Sequence, residues 1–490
     1  MNPLFIMVPV FLPIIGGIAM LLTNIKDRLK RNIFAELIVV LTSVSVWITL
    51  LNVSDSRVSI YSFMEGFSIS FCMDGLGMVF ATMISIMWPL VMLYAFDYMS
   101  HEERQNTFFA FYVATFGITL GICFAANMTT MYVFFEMLTL VTIPLVMHYQ
   151  DGESMYAVRK YAIYTIGGAA LAFFTVVVTT MYGGDGFFHF SGNIYGGFGP
   201  AILQVAYVFG FFGFGVKAAV FPLHGWLPTA SAAPTPVTAL LHAVAVVNSG
   251  VFAVIRLTWY MYGASILEGT WVQYFCMSFA IFTLVYAAVK AVKERHFKRR
   301  MAYSTISNLS YMLFGVMLLT PLGLEAGIAH MVFHGIIKIV LFMCAGAFMH
   351  VTGNSYIYEI NGIGRKMPIT FFCYTLGAVS LTGVPMFCGF ISKWKLLNAG
   401  FKQGSIFGLI GVFALIISAF LCAIYTLTVS LRAFFSEEKK NLYLEGEQKM
   451  KEAHILMLIP IVVFTVVNVA IGIYSTPVMQ FLEKIVKGWI

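Results

Sequence analysis

Two charged side chains lie in the middle of long apolar runs of this sequence. Glu136 lies within TMYVFFEMLTLVTIP, and Lys217 lies in an apolar run that Pro222 interrupts five residues later. At the centre of a membrane-spanning helix such a charge costs roughly 2.5–3.5 kcal/mol on insertion scales, so it is expected to face a partner or a water-filled path. We therefore predict an ion pathway here. The structural alternatives are a proline-kinked helix whose lysine snorkels and a protonated glutamate bonded to a backbone carbonyl.

A second group of ionisable residues is spaced by four residues along one apolar run. His330, His334 and Lys338 stand at i, i+4 and i+8. This spacing places them on one face of a helix, about 6 Å apart along its axis. Histidine can give and take a proton near neutral pH, so the row is typical of a proton relay. The alternative is that these side chains are packing residues with satisfied hydrogen bonds.

Two apolar runs combine a lysine with a proline break. One is the run around Lys217, and the other contains Gly-Val-Pro at 383–385 followed by Lys393. A proline removes a backbone hydrogen bond, and transporters place broken helices at ion sites. The breaks fall in successive groups of five predicted spans, which indicates two five-helix repeats. An odd number of spans gives the two repeats opposite orientations in the membrane.

The composition determines the class of protein. Of the 490 residues 60% are hydrophobic and 10% are charged, and the mean hydropathy is +0.87. A soluble domain is about a quarter charged, so we predict an all-α polytopic membrane protein whose first apolar run is a span rather than a cleaved signal. Loop lysines explain the net charge of +7 without a nucleic-acid partner. The seven cysteines form no C-x-x-C pair, and neither a metal nor a cofactor is expected.

About fourteen apolar runs are long enough to span a membrane. They are predicted near 3–22, 33–52, 73–97, 108–127, 128–148, 160–182, 201–222, 235–258, 270–292, 302–320, 325–350, 369–393, 404–432 and 454–475. Residue Asn127 is the predicted turn between the fourth and fifth runs. Loops after odd-numbered runs hold 20 Lys and Arg residues, and the loops on the other side hold six. Basic loops stay in the cytoplasm, so both termini are predicted to lie outside the cell membrane.

These runs predict four regions along the chain. Helices 1–3 occupy 1–107, the first inverted repeat of helices 4–8 occupies 108–258, the second repeat of helices 9–13 occupies 259–435, and a cytoplasmic loop with helix 14 occupies 436–490. Helices 7 and 12 are the broken ones.

The stretches that carry these residues resemble the proton-translocating antiporter-like family. This family includes the large membrane-arm subunits of respiratory complex I, the two large Mrp-type cation/proton antiporter subunits and subunits of membrane-bound hydrogenases. The most specific stretch is GVKAAVFPLHGWLPTASAAPTPVTALLHA at 215–243. The others are MDGLGMVFA at 73–81, FFEMLTL at 134–140, FKRRMAYSTISNLSYM at 297–312, HMVFHGIIKIVLFMCAGAFMH at 330–350 and GVPMFCGFISKW at 383–394.

The resemblance implies fourteen helices with two inverted five-helix repeats, and it implies roles for the charged residues. Glu136 and Lys217 would interact in a first half-channel. His242 and Lys338 would belong to a central hydrophilic axis, and Lys393 would lie at the exit. His330 and His334 match the relay histidines of the family.

The chain departs from the family pattern in the eighth helix. Several members carry a lysine where this chain has Asn248, and an asparagine cannot change charge. We therefore expect His242 to connect the first half-channel to Lys338, since histidine titrates near neutral pH. The alternative is that His242 donates a packing hydrogen bond between helices.

These patterns predict a proton-translocating, antiporter-like subunit of a multisubunit energy-coupling membrane complex. Its expected partners are other membrane subunits, including further antiporter-like subunits, together with protons and the lipid bilayer. The first alternative is a subunit that exchanges sodium for protons, because the same residue types serve both ions. The second is a haem-bearing electron-transfer protein, although a lysine shares the histidine face. A scaffold without transport would leave the mid-span charges unexplained. Whether the chain belongs to an enzyme stays open, because it carries no redox motif.

Overall fold

The computed structural model describes residues 3–52, 57–64, 67–194, 201–243, 245–437 and 452–488. Within these residues the chain is mostly helical. Ten of the described helical segments, the first of them Leu4–Thr23, are at least 18 residues long and apolar enough to cross a membrane. The all-helical polytopic class predicted from composition is confirmed. The exact number of fourteen spans stays a prediction.

The N-terminal region combines three long helices with a hairpin. Helix α1 covers Met7–Thr23 after a 3-10 turn at Pro3–Ile6, α2 covers Arg28–Asn52 and α3 covers Gly75–Tyr98. Strands β1 (Val58–Met64) and β2 (Phe67–Phe71) pair antiparallel before α3. Hydropathy does not identify this hairpin, because its strands are far shorter than a membrane span.

Side-chain caps determine where the next helices begin. Helix α4 covers Gln105–Cys123, α5 covers Met128–Val146 and α6 covers Gly152–Tyr182. The Asn127 side chain accepts a hydrogen bond from the Thr130 N–H at 2.7 Å, and Asp151 accepts one from the Ser154 N–H at 2.7 Å. Such a cap satisfies an amide that has no partner within the helix. The predicted turn at Asn127 is confirmed.

The predicted seventh helix is broken. Helix α7 covers Ala201–Gly215 and α8 covers Trp226–Ala230, with turns between them. The next helix is divided into α9 (Thr235–Ala243), α10 (Val246–Ile255) and a π-helical turn at Arg256–Tyr262. Within the first break Ala219 has a φ of 55°, a left-handed conformation that residues with a Cβ rarely adopt. The backbone around Lys217 is therefore held away from helical geometry.

The second half contains the second broken helix. Helix α11 covers Ala264–Leu267, α12 Trp271–Lys293, α13 Phe297–Met317 and α14 Pro321–Thr352, followed by 3-10 turns at Ile357–Glu359 and Ile363–Arg365. Helix α15 covers Pro368–Thr382, α16 Cys388–Gln403, α17 Ile406–Phe435, α18 Ile455–Ile473 and α19 Thr476–Val486. The break predicted at Gly-Val-Pro lies between α15 and α16. Both predicted breaks are confirmed.

Helix α14 is enclosed by protein. Of its most apolar 18 residues 94% are buried, whereas the value for α17 and α18 is 39%. It packs against α9, α13, α15, α16 and α18. Helices with low burial turn an apolar side outward, as lipid requires, but a helix enclosed on all sides does not face lipid. The ionisable row on α14 therefore lies in the protein interior.

Two predicted region boundaries fall inside helices. The boundary at 107/108 lies within α4, and the boundary at 258/259 lies within the π-helical turn. Hydropathy places the start of α4 too late because its first residues, Gln105 and Asn106, are polar. The division into two repeats stays a prediction.

A polar cluster holds the segment after α6 at the surface. The Asp185 carboxylate contacts the Nε2 atom of His189 at 2.9 Å and Arg57 Nη1 at 3.2 Å, and it accepts a hydrogen bond from Asn193 Nδ2 at 2.9 Å. Burial alone would raise the pKa of Asp185, but hydrogen bonds from the Phe187 N–H, His189 and Arg57 lower it to about 2. The carboxylate is therefore charged at every physiological pH.

Candidate functional site

Lys217 lies in the first break and is fully buried. Its ammonium donates to the backbone carbonyl of Phe135 and lies 3.6 Å from the centre of the Phe135 ring. A carbonyl and an aromatic face both stabilise a cation that has been removed from water. The break thus supplies two interactions that hold a charge in the interior.

Close packing fixes the position of this lysine. A Cβ on Gly250 of α10 would clash with the Ala218 nitrogen and would lie 3.0 Å from the Lys217 Cβ, so only glycine fits there. On the other side of the break, the indole of Trp226 donates to the Val216 carbonyl at 2.8 Å. The polar backbone that the break exposes is thereby satisfied by the surrounding protein.

Glu136 follows Phe135 on α5 and is half-buried. The Lys217 ammonium bonds to the Phe135 carbonyl rather than to this carboxylate, whose Oε1 has no hydrogen-bond partner among the described residues. The two charges still interact electrostatically. The structure therefore brings the predicted pair into one neighbourhood without direct contact.

Lys393 lies just after the second break and is 6% exposed. Its ammonium donates to the Leu381 carbonyl at 2.5 Å, at the end of α15, and lies 5.1 Å from the centre of the Tyr311 ring. A Cβ on Gly389 would clash with the Ser380 carbonyl oxygen, so this glycine allows α16 to approach α15. Lys217 and Lys393 thus share one arrangement, in which a carbonyl and an aromatic ring hold the lysine of a broken helix.

His330 connects three helices. Its Nδ1 lies 2.9 Å from Ser392 Oγ on α16, and its Nε2 lies 3.2 Å from Asn308 Oδ1 on α13. The Tyr311 ring stacks on it with centroids 5.3 Å apart. Because Ser392 precedes Lys393, His330 reaches the second break through one hydroxyl. Both ring nitrogens are engaged, which argues against an axial haem ligand at this residue.

Lys338 is fully buried and bonded to α13. Its ammonium donates to Ser304 Oγ at 2.7 Å and to the Met301 carbonyl at 3.0 Å. The Ser304 hydroxyl in turn donates to the Tyr425 hydroxyl of α17 at 2.9 Å. A chain of hydroxyls thus leads away from the ammonium.

His334 lies between these two residues. Its ring centre is 5.9 Å from that of His330, and neither of its nitrogens bonds to any residue that the structure describes. A fully buried imidazole in this position can accept or donate a proton without first breaking a bond. The predicted row of His330, His334 and Lys338 is therefore brought together with Lys393.

The structure leaves the eighth-helix prediction open. The backbone of His242 lies in α9, but its side chain falls outside the described residues. Asn248 is fully buried in α10. Within the described residues no three His, Cys, Asp or Glu side chains are grouped as they would be to hold a metal ion.

Sequence reasoning missed several polar residues around this row. Lys298 lies between the predicted runs 270–292 and 302–320, where a cytoplasmic loop is expected, yet it is 4% exposed and donates to the Ala233 carbonyl at 2.8 Å. Ser304 and Asn308 on α13 were also missed. Their i, i+4 spacing within a stretch already noted for its resemblance was the available signal.

Arg256 lies near the end of the predicted run 235–258 and is 1% exposed. It forms an ion pair with Asp74, which begins α3, through Nη2 and Oδ1 at 2.7 Å. The Arg256–Asp74 ion pair connects the π-helical turn to the start of α3 in the N-terminal region. No hydropathy pattern identifies it, because both residues lie at the ends of apolar runs.

The chain matches two family models. One, described as NADH:quinone oxidoreductase/Mrp antiporter, TM, matches residues 125–419. The other, described as NADH-Ubiquinone oxidoreductase (complex I), chain 5 N-terminus, matches residues 63–109. Because the first match covers more than half of the chain, the chain belongs to the NADH:quinone oxidoreductase/Mrp antiporter family. The resemblance drawn from the sequence is confirmed.

Two curated relatives show how far the similarity extends. A Na(+)/H(+) antiporter subunit of Alkalihalophilus pseudofirmus is 30% identical over 446 residues, which cover 84% of this chain and 53% of that protein. A Na(+)/H(+) antiporter subunit of Staphylococcus haemolyticus is 28% identical over 441 residues, which cover 86% of this chain and 54% of that protein. The chain thus spans about half the length of these relatives.

Two solved structures share the fold. A chain of the Mrp complex from a Dietzia species superposes with a TM-score of 0.86 at 19% identity, covering 100% of this chain and 98% of that one. A chain of the membrane-bound sulfane sulfur reductase, an archaeal respiratory membrane complex, superposes with a TM-score of 0.84 at 22% identity, covering 98% and 96%. At these identities the likeness concerns the fold alone.

Proposed function

We propose that this chain is a proton-translocating, antiporter-like subunit of a multisubunit energy-coupling complex in the cell membrane. The observation that carries the proposal is the enclosed row of His330, His334, Lys338 and Lys393. Ionisable groups at membrane depth are costly unless they serve a path for ions. These four are buried, and His330 bonds to Ser392, the residue before Lys393 on the broken helix.

The proposed path begins at the first break. A proton reaches Glu136 and Lys217, whose charges interact, and passes to Lys338 through His242. From Lys338 it moves past His334 and His330 to Lys393 at the second break. Each group binds the proton in turn. When one group gains or loses the proton, its charge changes, and this alters the electrostatic energy of the neighbouring group.

Packing around α9 supports the place of His242 in this path. Near the start of α13, Lys298 donates to the Ala233 carbonyl. Near the end of α13, the Val316 carbonyl accepts a hydrogen bond from the Trp259 indole at 3.3 Å. The chain from 233 to 259 therefore runs alongside α13 in the same direction. Helix α14 runs back along α13. Residue 242 therefore lies about 10 Å from the start of α9 along the helix axis. At that point it is at about the same level along α13 as Lys338.

We further propose that residues 108–258 and 259–435 form two inverted repeats. The equivalent environments of Lys217 and Lys393, each held by a carbonyl and an aromatic ring, support this division. The excess of Lys and Arg in loops after odd-numbered spans supports an orientation with both termini outside the cell.

The proposed partners are other membrane subunits, including further antiporter-like subunits. The support is that the two solved structures with this fold are chains of membrane complexes. The energy for translocation would come from those subunits.

Sodium/proton exchange is the second candidate function. The curated relatives are named as Na(+)/H(+) antiporter subunits, and this favours it. The buried lysines and histidines of the row suit protons, whereas a sodium path requires oxygen ligands. A proton flux that depends on external sodium would support sodium/proton exchange as the function.

The test is proton uptake by inverted membrane vesicles that contain the native complex. Lys338→Ala is expected to abolish uptake, and Lys338→Arg to retain part of it, because arginine keeps the charge but does not release its proton. Lys402→Ala, at the exposed end of α16, is the matched control. Normal uptake in Lys338→Ala, with the complex assembled, would overturn the proposal.

A further inference from the structure

An apolar groove runs between α12 and α17 on the outside of the helix bundle. Its walls include Phe282 and Tyr286 of α12 and Ile410 and Phe413 of α17, and it encloses about 550 Å³. The side chains of Phe282 and Phe413 are 51% and 63% exposed. The groove is therefore open sideways, in the direction in which a membrane protein meets lipid.

The length of the groove matches one leaflet of a bilayer. From Ile281 to Val289 it rises about 12 Å along α12. The apolar core of a bilayer is about 30 Å thick, so each leaflet contributes roughly half of that. The groove therefore has the length of a lipid tail and is too short for a membrane-spanning helix of a partner subunit.

One end of the groove is basic. Lys293 follows Val289 by four residues, which places it one turn further on the same face of α12, and Lys290 lies beside it. Both lysines are exposed, and the Lys290 ammonium lies 5.6 Å from the centre of the Tyr286 ring. Neither forms an ion pair with a described carboxylate. The adjacent Glu294 carboxylate accepts two backbone N–H groups instead, at 2.9 Å and 3.0 Å.

The α12 wall of the groove also supports the first broken helix. The Phe221 ring packs against Phe282 with centroids 4.9 Å apart and against Tyr286 at 5.5 Å. The His224 ring lies 5.1 Å from that of Tyr286. The Phe221 N–H donates to Thr283 Oγ1 at 3.0 Å. An occupant of the groove that packs on Phe282 and Tyr286 therefore restricts the rings against which the broken segment lies.

We propose that an anionic phospholipid binds this groove and stabilises the first break. One acyl chain lies along Phe282 and Tyr286, and the phosphate lies beside Lys290 and Lys293. Basic pockets between membrane helices favour anionic headgroups in this way. None of these residues belongs to the translocation row, so the lipid site does not depend on which ion the chain moves.

The test is photolabelling of the native complex in phosphatidylcholine nanodiscs. A small fraction of the lipid carries a diazirine at the end of one tail, on either phosphatidylglycerol or phosphatidylcholine, and labelled peptides are identified by mass spectrometry. Peptides containing Phe282 or Phe413 should be labelled at least about fivefold more by phosphatidylglycerol, because each lysine near a membrane surface contributes roughly that factor.

Two lysine variants show whether the headgroup site causes this preference. Lys290→Gln combined with Lys293→Gln should make the two lipids label the groove equally. Lys402→Gln combined with Lys484→Gln is the matched control, because these exposed lysines belong to the opposite side of the membrane by the charge pattern of the loops. The control should keep the full preference for phosphatidylglycerol.

Hydrogen exchange measures the effect on the first break. The backbone amides of 216–225 should exchange more slowly when the nanodiscs contain phosphatidylglycerol, and the difference should vanish in the variant that lacks Lys290 and Lys293. Equal labelling by the two lipids, a preference that survives in that variant, or equal exchange would each overturn the proposal. Labelling of the groove by neither lipid would show that another subunit covers it and would overturn the proposal as well.

Discussion

Ser304 is the residue on which the connection between Lys338 and α17 depends. Its hydroxyl accepts a hydrogen bond from the lysine at 2.7 Å and donates one to Tyr425 at 2.9 Å. Ser304→Ala removes both bonds without adding volume. Of its described hydrogen bonds, the Lys338 ammonium then keeps only the one to the Met301 carbonyl at 3.0 Å.

The size of the effect follows from these contacts. A hydrogen bond to a charged group contributes about 1.5–3 kcal/mol, and water cannot readily replace it in a fully buried site. Each 1.36 kcal/mol is a factor of ten in an equilibrium constant, so the ratio of protonated to neutral Lys338 should fall about 10- to 100-fold. If Lys338 carries the proton, uptake should fall roughly tenfold or more.

Proton uptake by inverted vesicles measures this, with assembly checked on native gels. Ser307→Ala is the matched control: Ser307 lies on the same helix and is also fully buried, but it bonds to Leu284 at 2.8 Å and Ser418 at 2.9 Å rather than to Lys338. The reasoning is refuted if the two serine variants retain equal uptake.

Three further changes test other parts of the structure. Glu136→Gln should impair uptake several-fold with assembly intact, because its charge acts on Lys217; full coupled activity would contradict this. His242→Gln should reduce uptake far more than Asn248→Ala, since only histidine titrates, and the reverse order would show that the wrong residue was chosen. Asp185→Asn should lower the free energy of unfolding at pH 7 by at most about 1 kcal/mol, since the cluster is exposed. Because the pKa of Asp185 is lowered to about 2, this difference should persist above pH 4 and shrink as the pH falls toward 2; a thermal unfolding difference independent of pH would count against it.

The class of fold was available from the sequence because membrane insertion depends on local composition. Long apolar runs, a cap at Asn127 and the prolines at the two breaks act through neighbouring residues, so their positions could be inferred without packing. The same reasoning identified Glu136, Lys217 and Lys393, since a charge in an apolar run is conspicuous wherever the helix packs.

Only the tertiary structure decided what these residues contact. That Lys217 bonds to the Phe135 carbonyl, or that His330 reaches Ser392, depends on residues 82 and 62 positions apart. Hydropathy averages a single serine into its apolar neighbours and carries no information on its partners, so Ser304 was not found. It also cannot distinguish a loop arginine from the buried Arg256.

The difference has one physical reason. Along a single helix, a rise of 1.5 Å and 3.6 residues per turn fix which side chains share a face, so His330, His334 and Lys338 were aligned by spacing alone. The partners of that face come from α13, α16 and α17, and which helix meets it depends on the interlocking of side chains across the whole bundle. The sequence therefore determined the row of ionisable groups, and packing determined which neighbouring helices they bond to.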